Sequence, residues 1–155
     1  MILYLDSSAI VKQYVFELGS MEVQSAVGES EINATTVMSR AEVTAAFKKA
    51  VRVGALQEND AKAALRNFGR GWPGLVRTRV TERLLRHASS LAWTHDLRGY
   101  DAVHLASAAA WQEAVGRAVT VASFDQSLWL AARKIGLDAF PQDLPRLLTA
   151  WRTRN

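Results

Sequence analysis

Asp6, Glu42, Asp101 and Asp125 each stand where a strand-like or small-residue run gives way to a helical pattern. Strand ends that feed helices line one edge of an open parallel sheet, and that edge is where such folds place their sites. Carboxylates gathered there from distant parts of the chain repel one another, so at neutral pH the cluster requires protons or a divalent cation. A hard cation on oxygen ligands points to chemistry on phosphate, because it can activate a water, neutralise nonbridging oxygens and stabilise a leaving oxygen. Without the cation the same pocket repels nucleic acid, at about 1 kcal/mol per pair of unit charges 4 Å apart in water and more when partly buried.

Every one of these acids also has a local reading. Asp6 is suited to cap a helix starting at Ser7, and Glu42 follows Ser39 by three residues, the spacing of a capping box. Asp101 and Asp125 could each be a first-turn acid facing a helix dipole, with Ser123 and Gln126 forming a second capping box. Capping leaves the set unexplained. Helices expected to begin at Met21, Glu58 and Glu82 have no acid directly after an apolar strand, whereas the four singled out are read as strand-end positions.

The elements that must position them follow from periodicity. Ile2 to Leu5, Ile32 to Val37, Leu75 to Val80, Ala118 to Ala122 and Leu137 to Phe140 read as strands. Helical spacing covers Ser7 to Phe16, Met21 to Val27, Arg40 to Val53, Glu58 to Phe68, Glu82 to Trp93, Asp101 to Ala114, Asp125 to Ile135 and Pro145 to Arg152. Gly69 to Gly74, with Pro73 inside, is a turn-rich break. Strands alternating with helices predict an α/β fold: a three-layer α/β/α sandwich with a mostly parallel central sheet and right-handed crossovers. The 155 residues, 49% of them hydrophobic, suit one domain over residues 1–155.

Cysteine is absent, which excludes disulfides and thiolate metal sites. Met1 to Asp6 lacks a basic leader and reaches a charge within six residues, unlike a signal peptide. No apolar run approaches the roughly 20 residues of a membrane span, so a soluble, cytoplasmic protein is expected. Charge is uneven: residues 1–65 hold six Lys/Arg against eight Asp/Glu, and residues 66–155 hold thirteen against seven. Arg66, Arg70, Arg77, Arg79, Arg83 and Arg86 share one stretch with Glu82 as its only acid, which is either a solvated face or a phosphate-binding surface.

Four blocks in order, Leu5 to Lys12, Ser39 to Val43, Tyr100 to Ala108 and Ser123 to Asp125 with Leu128 and Gly136 downstream, resemble a PIN domain, with the spacing of VapC toxins from toxin–antitoxin pairs. The resemblance spans residues 5 to 136 and implies a Mg²⁺- or Mn²⁺-dependent endoribonuclease. It implies that Asp6 and Asp101 are metal ligands, Asp125 a direct or water-mediated ligand, and Glu42 a ligand or the group orienting the attacking water. Ser7, Ser8 and Ser123 match the family's small hydroxyl positions and would orient the acids or touch phosphate, although local capping explains them as well. The family further implies an RNA substrate, a homodimer and a cognate small VapB-like antitoxin.

His87, His95 and His104 lack metal-site spacing, but His104 lies one turn beyond Asp101, where it would pack or orient that acid. Arg40 is the candidate for contact with substrate phosphate. Gly69, Gly71 and Gly74 form no phosphate loop, and the five tryptophans are mostly at core spacing. Two other functions fit part of the pattern. An Asp-dependent phosphatase also places an Asp after its first strand but usually needs a second acid close by or a partnering lysine later, and Asp6-Ser7-Ser8-Ala9 lacks the first. A catalytically silent PIN-like RNA-binding or scaffold protein would be free to lose acids, yet all four are present.

Overall fold

Strand β1 (Ile2–Leu5) is buried at all four residues, which puts it at the centre of the molecule. Side chains alternate across a strand, so Ile2 and Tyr4 enter one apolar core while Leu3 and Leu5 enter another. A computed structural model describes residues 1–153; Arg154 and Asn155, part of the domain expected from the sequence, lie outside the described residues. β1 pairs in parallel with β2 (Ile32–Thr36) on one side and β4 (Val119–Ala122) on the other. The short strands β3 (Val76–Thr78) and β5 (Asp138–Phe140) form the edges, giving the all-parallel order β3-β2-β1-β4-β5.

Helices cover both faces. α1 (Ser7–Tyr14), α2 (Ser20–Glu29), α3 (Ser39–Arg52) and α4 (Glu58–Gly71) enclose Leu3 and Leu5 with Ile10, Val23, Val43 and Phe68. On the other face α5 (Glu82–His95), α6 (Gly99–Val115) and α7 (Gln126–Lys134) pack Leu91, Leu105 and Leu128 against Ile2, Tyr4 and Val121. α8 (Leu144–Arg152) closes the described chain against α7. The expected three-layer α/β/α sandwich is therefore present. Among the described residues no helix is long and apolar enough to cross a membrane. The chain steps outward from β1 to β2 and β3, then returns beside β1 as β4, so the crevice at the carboxyl ends of β1 and β4 is the topological switch point.

Several boundaries differ from the sequence reading for identifiable reasons. α4 continues through Gly69 to Gly71 and then tightens into one 3₁₀ turn, Trp72–Gly74. Phe68 packs edge-on against Trp72 and Tyr14, at centroid separations of 5.4 and 5.6 Å; that burial outweighs the roughly 1 kcal/mol helix penalty of a glycine. α1 stops at Tyr14, leaving Phe16 exposed. α6 begins at Gly99, separated from α5 only by residues 96–98, so Asp101 follows a helix and not a strand. Trp93 lies 92% exposed on α5 and packs no core.

One glycine ties the fold to the site. Gly19 holds φ at +92°, and a Cβ there would meet the Phe124 ring at 2.6 Å and the Trp151 ring at 3.1 Å. Those two rings stack at 5.9 Å, so neither can retreat freely. Gly19→Ala should cost about 2 kcal/mol of folding stability, seen as a lower urea midpoint with an unchanged slope; an unchanged midpoint would show that Phe124 gives way at no cost.

Candidate active site

Asp6 emerges directly from β1 and serves as the N-cap of α1, accepting a hydrogen bond from the Ala9 amide at 2.8 Å. Ser8 Oγ donates to its Oδ1 at 2.7 Å, and Ser123 Oγ, arriving from the end of β4, donates to Oδ2 at 2.7 Å. The carboxylate is 4% exposed. Burial pushes its pKa up, and the nearby His104, the two serines and the Ala9 amide only partly oppose this.

Glu42 sits in the first turn of α3, but the capping box expected with Ser39 is not formed. Ser39 is itself helical and buried, and its hydroxyl bonds Thr35 Oγ1 at 2.7 Å, which in turn donates to the Leu5 carbonyl. Glu42 is thereby free to turn inward, where Oε2 accepts from Ser7 Oγ at 2.7 Å and meets His104 Nε2 at 2.8 Å. Burial raises the Glu42 pKa, but the adjacent His104, hydrogen-bonded to it, and the Ser7 hydroxyl outweigh this and hold the carboxyl below its usual value. His104 is 2% exposed, and its Nδ1 faces the Tyr4 hydroxyl at 3.2 Å. Burial pushes the Tyr4 pKa far up, so the phenol keeps its proton. The network is satisfied when Tyr4 donates to Nδ1 and Nε2–H donates to Glu42. His104 thus orients Glu42, not Asp101 as its position one turn beyond Asp101 suggested.

Asp125 is the N-cap of α7: Oδ1 accepts from the amides of Ser127 and Leu128 at 2.9 and 3.0 Å. The capping box read from Ser123 and Gln126 is absent because the Ser123 hydroxyl is given to Asp6. Asp101 enters from the first turn of α6. It arrives by a helix-to-helix corner, which corrects its reading as a strand-end position; buried Leu97 anchors that corner. Arg98, three residues earlier, donates from Nε to Asp101 Oδ2 and from Nη2 to Asp125 Oδ2, both at 2.8 Å.

Asp6, Ser7, Ser8, Glu42, Asp101, His104 and Asp125 line one cavity of about 280 Å³, joined by Arg98 and Phe124. Ser123 stands behind Asp6, buried. Arg40 does not line it; its guanidinium lies 5.8 Å from the centre of the Trp72 ring. A larger depression of about 1260 Å³ lies elsewhere, and its acids, Glu22, Glu29, Asp138 and Asp143, are all exposed. Sequence reasoning missed Arg98 and Tyr4. The signal for Arg98 was an arginine three residues before an acid at a helix start, and for Tyr4 a polar-tipped aromatic two residues before Asp6 on a buried strand.

The donor set suits a hard cation in kind: every candidate ligand is an oxygen, and all four carboxylates open on the same cavity. In spacing it is not closed. Among the described residues no three His, Cys, Asp or Glu side chains converge as a metal-holding group.

A parallel sheet in the order β3-β2-β1-β4-β5 between two helical layers, with acids at its switch point, defines a PIN-like domain. The chain belongs to the VapC ribonuclease family. It is 32% identical over 143 residues to Ribonuclease VapC45 and to Ribonuclease VapC49 of Mycobacterium tuberculosis, a span of 92% of this chain and 97% of each relative. The fold is similar to the crystal structure of PAE2754 from Pyrobaculum aerophilum, with TM-score 0.63 and 19% identity over 96% of this chain and 90% of that one. It also resembles a chain of a toxin–antitoxin complex from Klebsiella pneumoniae, with TM-score 0.59 and 13% identity over 81% of this chain and 87% of that one. No protein-family model matches the chain.

The raised pKa of Asp6 has a definite sign. The folded state holds that proton more tightly than the unfolded chain does, so the charged carboxylate burdens stability above the raised pKa, and the burden disappears below the ordinary carboxylate range. In EDTA, Asp6→Asn should be more stable than wild type at neutral pH, the gap closing as the pH falls towards about 4. Chemical denaturation across that range measures it; a gap independent of pH would contradict the assignment.

Proposed function

We propose that the protein is a metal-dependent endoribonuclease, the toxin of a toxin–antitoxin pair, that hydrolyses RNA phosphodiester bonds at the four-carboxylate cavity. The observation that carries this reading is the gathering of Asp6, Glu42, Asp101 and Asp125, from four separate segments, onto one cavity in a chain related to VapC ribonucleases. Asp6, Asp101, Asp125 and Glu42 would hold Mg²⁺ or Mn²⁺ through their oxygens. When bound, the ion supplies charge neutralisation for the phosphate and activation of a water.

The protein groups have separable tasks. Ser7 and His104 fix Glu42 through Oε2 and keep it ionised, so Oε1 can take a proton from a water attacking the phosphorus. Ser8 and Ser123 hold Asp6 at both oxygens, which sets its plane. Phe124, its amide donating to Ser8 Oγ at 2.9 Å, walls the cavity and restricts water there. The exposed arginines 66, 70, 77, 79, 83 and 86 carry positive charge outside the cavity that can meet RNA phosphates.

Cleavage of RNA should require Mg²⁺ or Mn²⁺ and stop in EDTA. Asp101→Asn should lose about two orders of magnitude or more in rate while circular dichroism stays that of wild type. Undiminished cleavage in excess chelator, or by Asp101→Asn, would exclude the mechanism.

Partners follow from the same chemistry. An anionic cavity accepts a cationic side chain, so a small VapB-like antitoxin could silence the enzyme by delivering an arginine to it. A homodimer is proposed through the apolar groove of about 380 Å³ between α5 and α6, where Leu85 and Tyr100 are exposed and Met38, Ala88 and Val103 form the floor. A cytoplasmic location fits both partners. Expression of the chain alone should arrest growth and co-expression of its antitoxin should restore it, while Asp6→Asn should be harmless by itself. Equal growth with wild type and Asp6→Asn at matched protein levels would remove the toxin assignment.

A further inference from the structure

The four acids satisfy their charges by different means, and only one of the donors, Arg98, serves two of them. Asp6 is bonded at both oxygens by neutral donors, Ser8, Ala9 and Ser123. Glu42 is bonded through Oε2 to Ser7 and His104. Asp125 has Oδ1 committed to two backbone amides, which leaves Oδ2 as its outlet to the cavity, and Arg98 Nη2 occupies that outlet. Asp101 Oδ2 is occupied by Arg98 Nε. One guanidinium therefore covers one oxygen of each of two acids delivered by different helices, in a cavity whose ligands suit a cation but do not converge on one.

Arg98 is also built to leave. Its side chain is 76% exposed, whereas those of Asp101 and Asp125 are 14% and 28% exposed. It belongs to the short corner between α5 and α6 as the N-cap residue of α6, and its side chain caps nothing. The only hydrogen-bond partners of its guanidinium among the described residues are those two carboxylates.

We propose that Arg98 is a resident counter-cation which a divalent metal must displace, so that metal loading and release of the Arg98 guanidinium are one exchange. The proposal rests on the metal-site reading above. In the metal-free protein Arg98 holds Asp101 and Asp125 together and offsets their mutual repulsion. Entry of a divalent ion sets like charge against the guanidinium within a few ångströms. Moving the exposed side chain into water frees Oδ2 of both acids as ligands.

Two measurements on the full chain test the exchange. Calorimetric titration with Mn²⁺ alone should show Arg98→Gln binding about tenfold tighter than wild type, since the competing charge is gone and the acids' repulsion is left unrelieved. Arg98→Lys, with a charge but no two-pronged fork, should fall between them. In EDTA at low salt Arg98→Gln should melt several degrees below wild type, and saturating Mn²⁺ should abolish that difference. Mn²⁺ affinity in Arg98→Gln equal to or weaker than wild type overturns the exchange while leaving the metal site standing, as does a melting difference that persists in saturating Mn²⁺. Binding by neither protein overturns the metal reading and the exchange together.

Discussion

Four carboxylates cannot share a cavity of about 280 Å³ without compensation. Two unit charges 4 Å apart at a protein surface repel by about 4 kcal/mol, and a whole domain is stable by only about 5–15 kcal/mol. Much of the local architecture answers that repulsion. Asp6 is driven toward its protonated form by burial and steadied by three neutral donors. Glu42 is kept charged by His104, which is held in turn by Tyr4. Asp101 and Asp125 share one arginine. Tyr4 lies on the central strand and Asp6 directly follows it, so the strand's position in the sheet sets where Asp6 and Glu42 are compensated.

Helix starts supply much of the rest. Asp6 and Asp125 are N-caps, and Glu42 and Asp101 lie in first turns, so all four acids sit at the positive ends of helix dipoles. Amides that would otherwise be orphaned at those ends serve as donors to Asp6 and Asp125. Capping and site chemistry are therefore one arrangement at these two residues. A cap costs nothing extra when the same carboxylate must be oriented for another purpose, which explains how the site coexists with a well-formed fold.

That overlap also governs what was legible in the sequence. Asp6 and Asp125 could be read because cap, strand end and acid coincide in a single short segment. Glu42 was found by spacing but with a misleading local partner: Ser39 is buried against Thr35, a contact set by packing between β2 and α3 that no i,i+3 rule contains. Asp101 was found for a wrong reason, since its segment follows a helix. The three-layer sandwich was readable because five apolar strand patterns alternate with amphipathic helices; the continuation of α4 to Gly71 was not, because Phe68, Trp72 and Tyr14 decide it from distant parts of the chain. For Arg98 only the bond to Asp101 left a local signal; the bond to Asp125, 27 residues away, left none.

Two cations near the cavity show how burial separates structural charge from exchangeable charge. Lys12 is buried, bonded to Glu17 at 2.6 Å, and lies 4.5 Å from the centre of the Phe124 ring and 5.7 Å from that of Trp151. Displacing it would break its bond to Glu17 and open the aromatic wall of the site, because its ammonium lies within the wall against Phe124 and Trp151. Arg98 has mostly water around it, and exposed ion pairs are worth about 0.2–1 kcal/mol each. Even two such bonds are within reach of a divalent ion's stronger attraction to the same carboxylates. Lys12 therefore belongs to the wall and Arg98 to the contents of the cavity, a distinction drawn by exposure and not by sequence distance from the acids, since Lys12 is six residues from Asp6 and Arg98 three from Asp101.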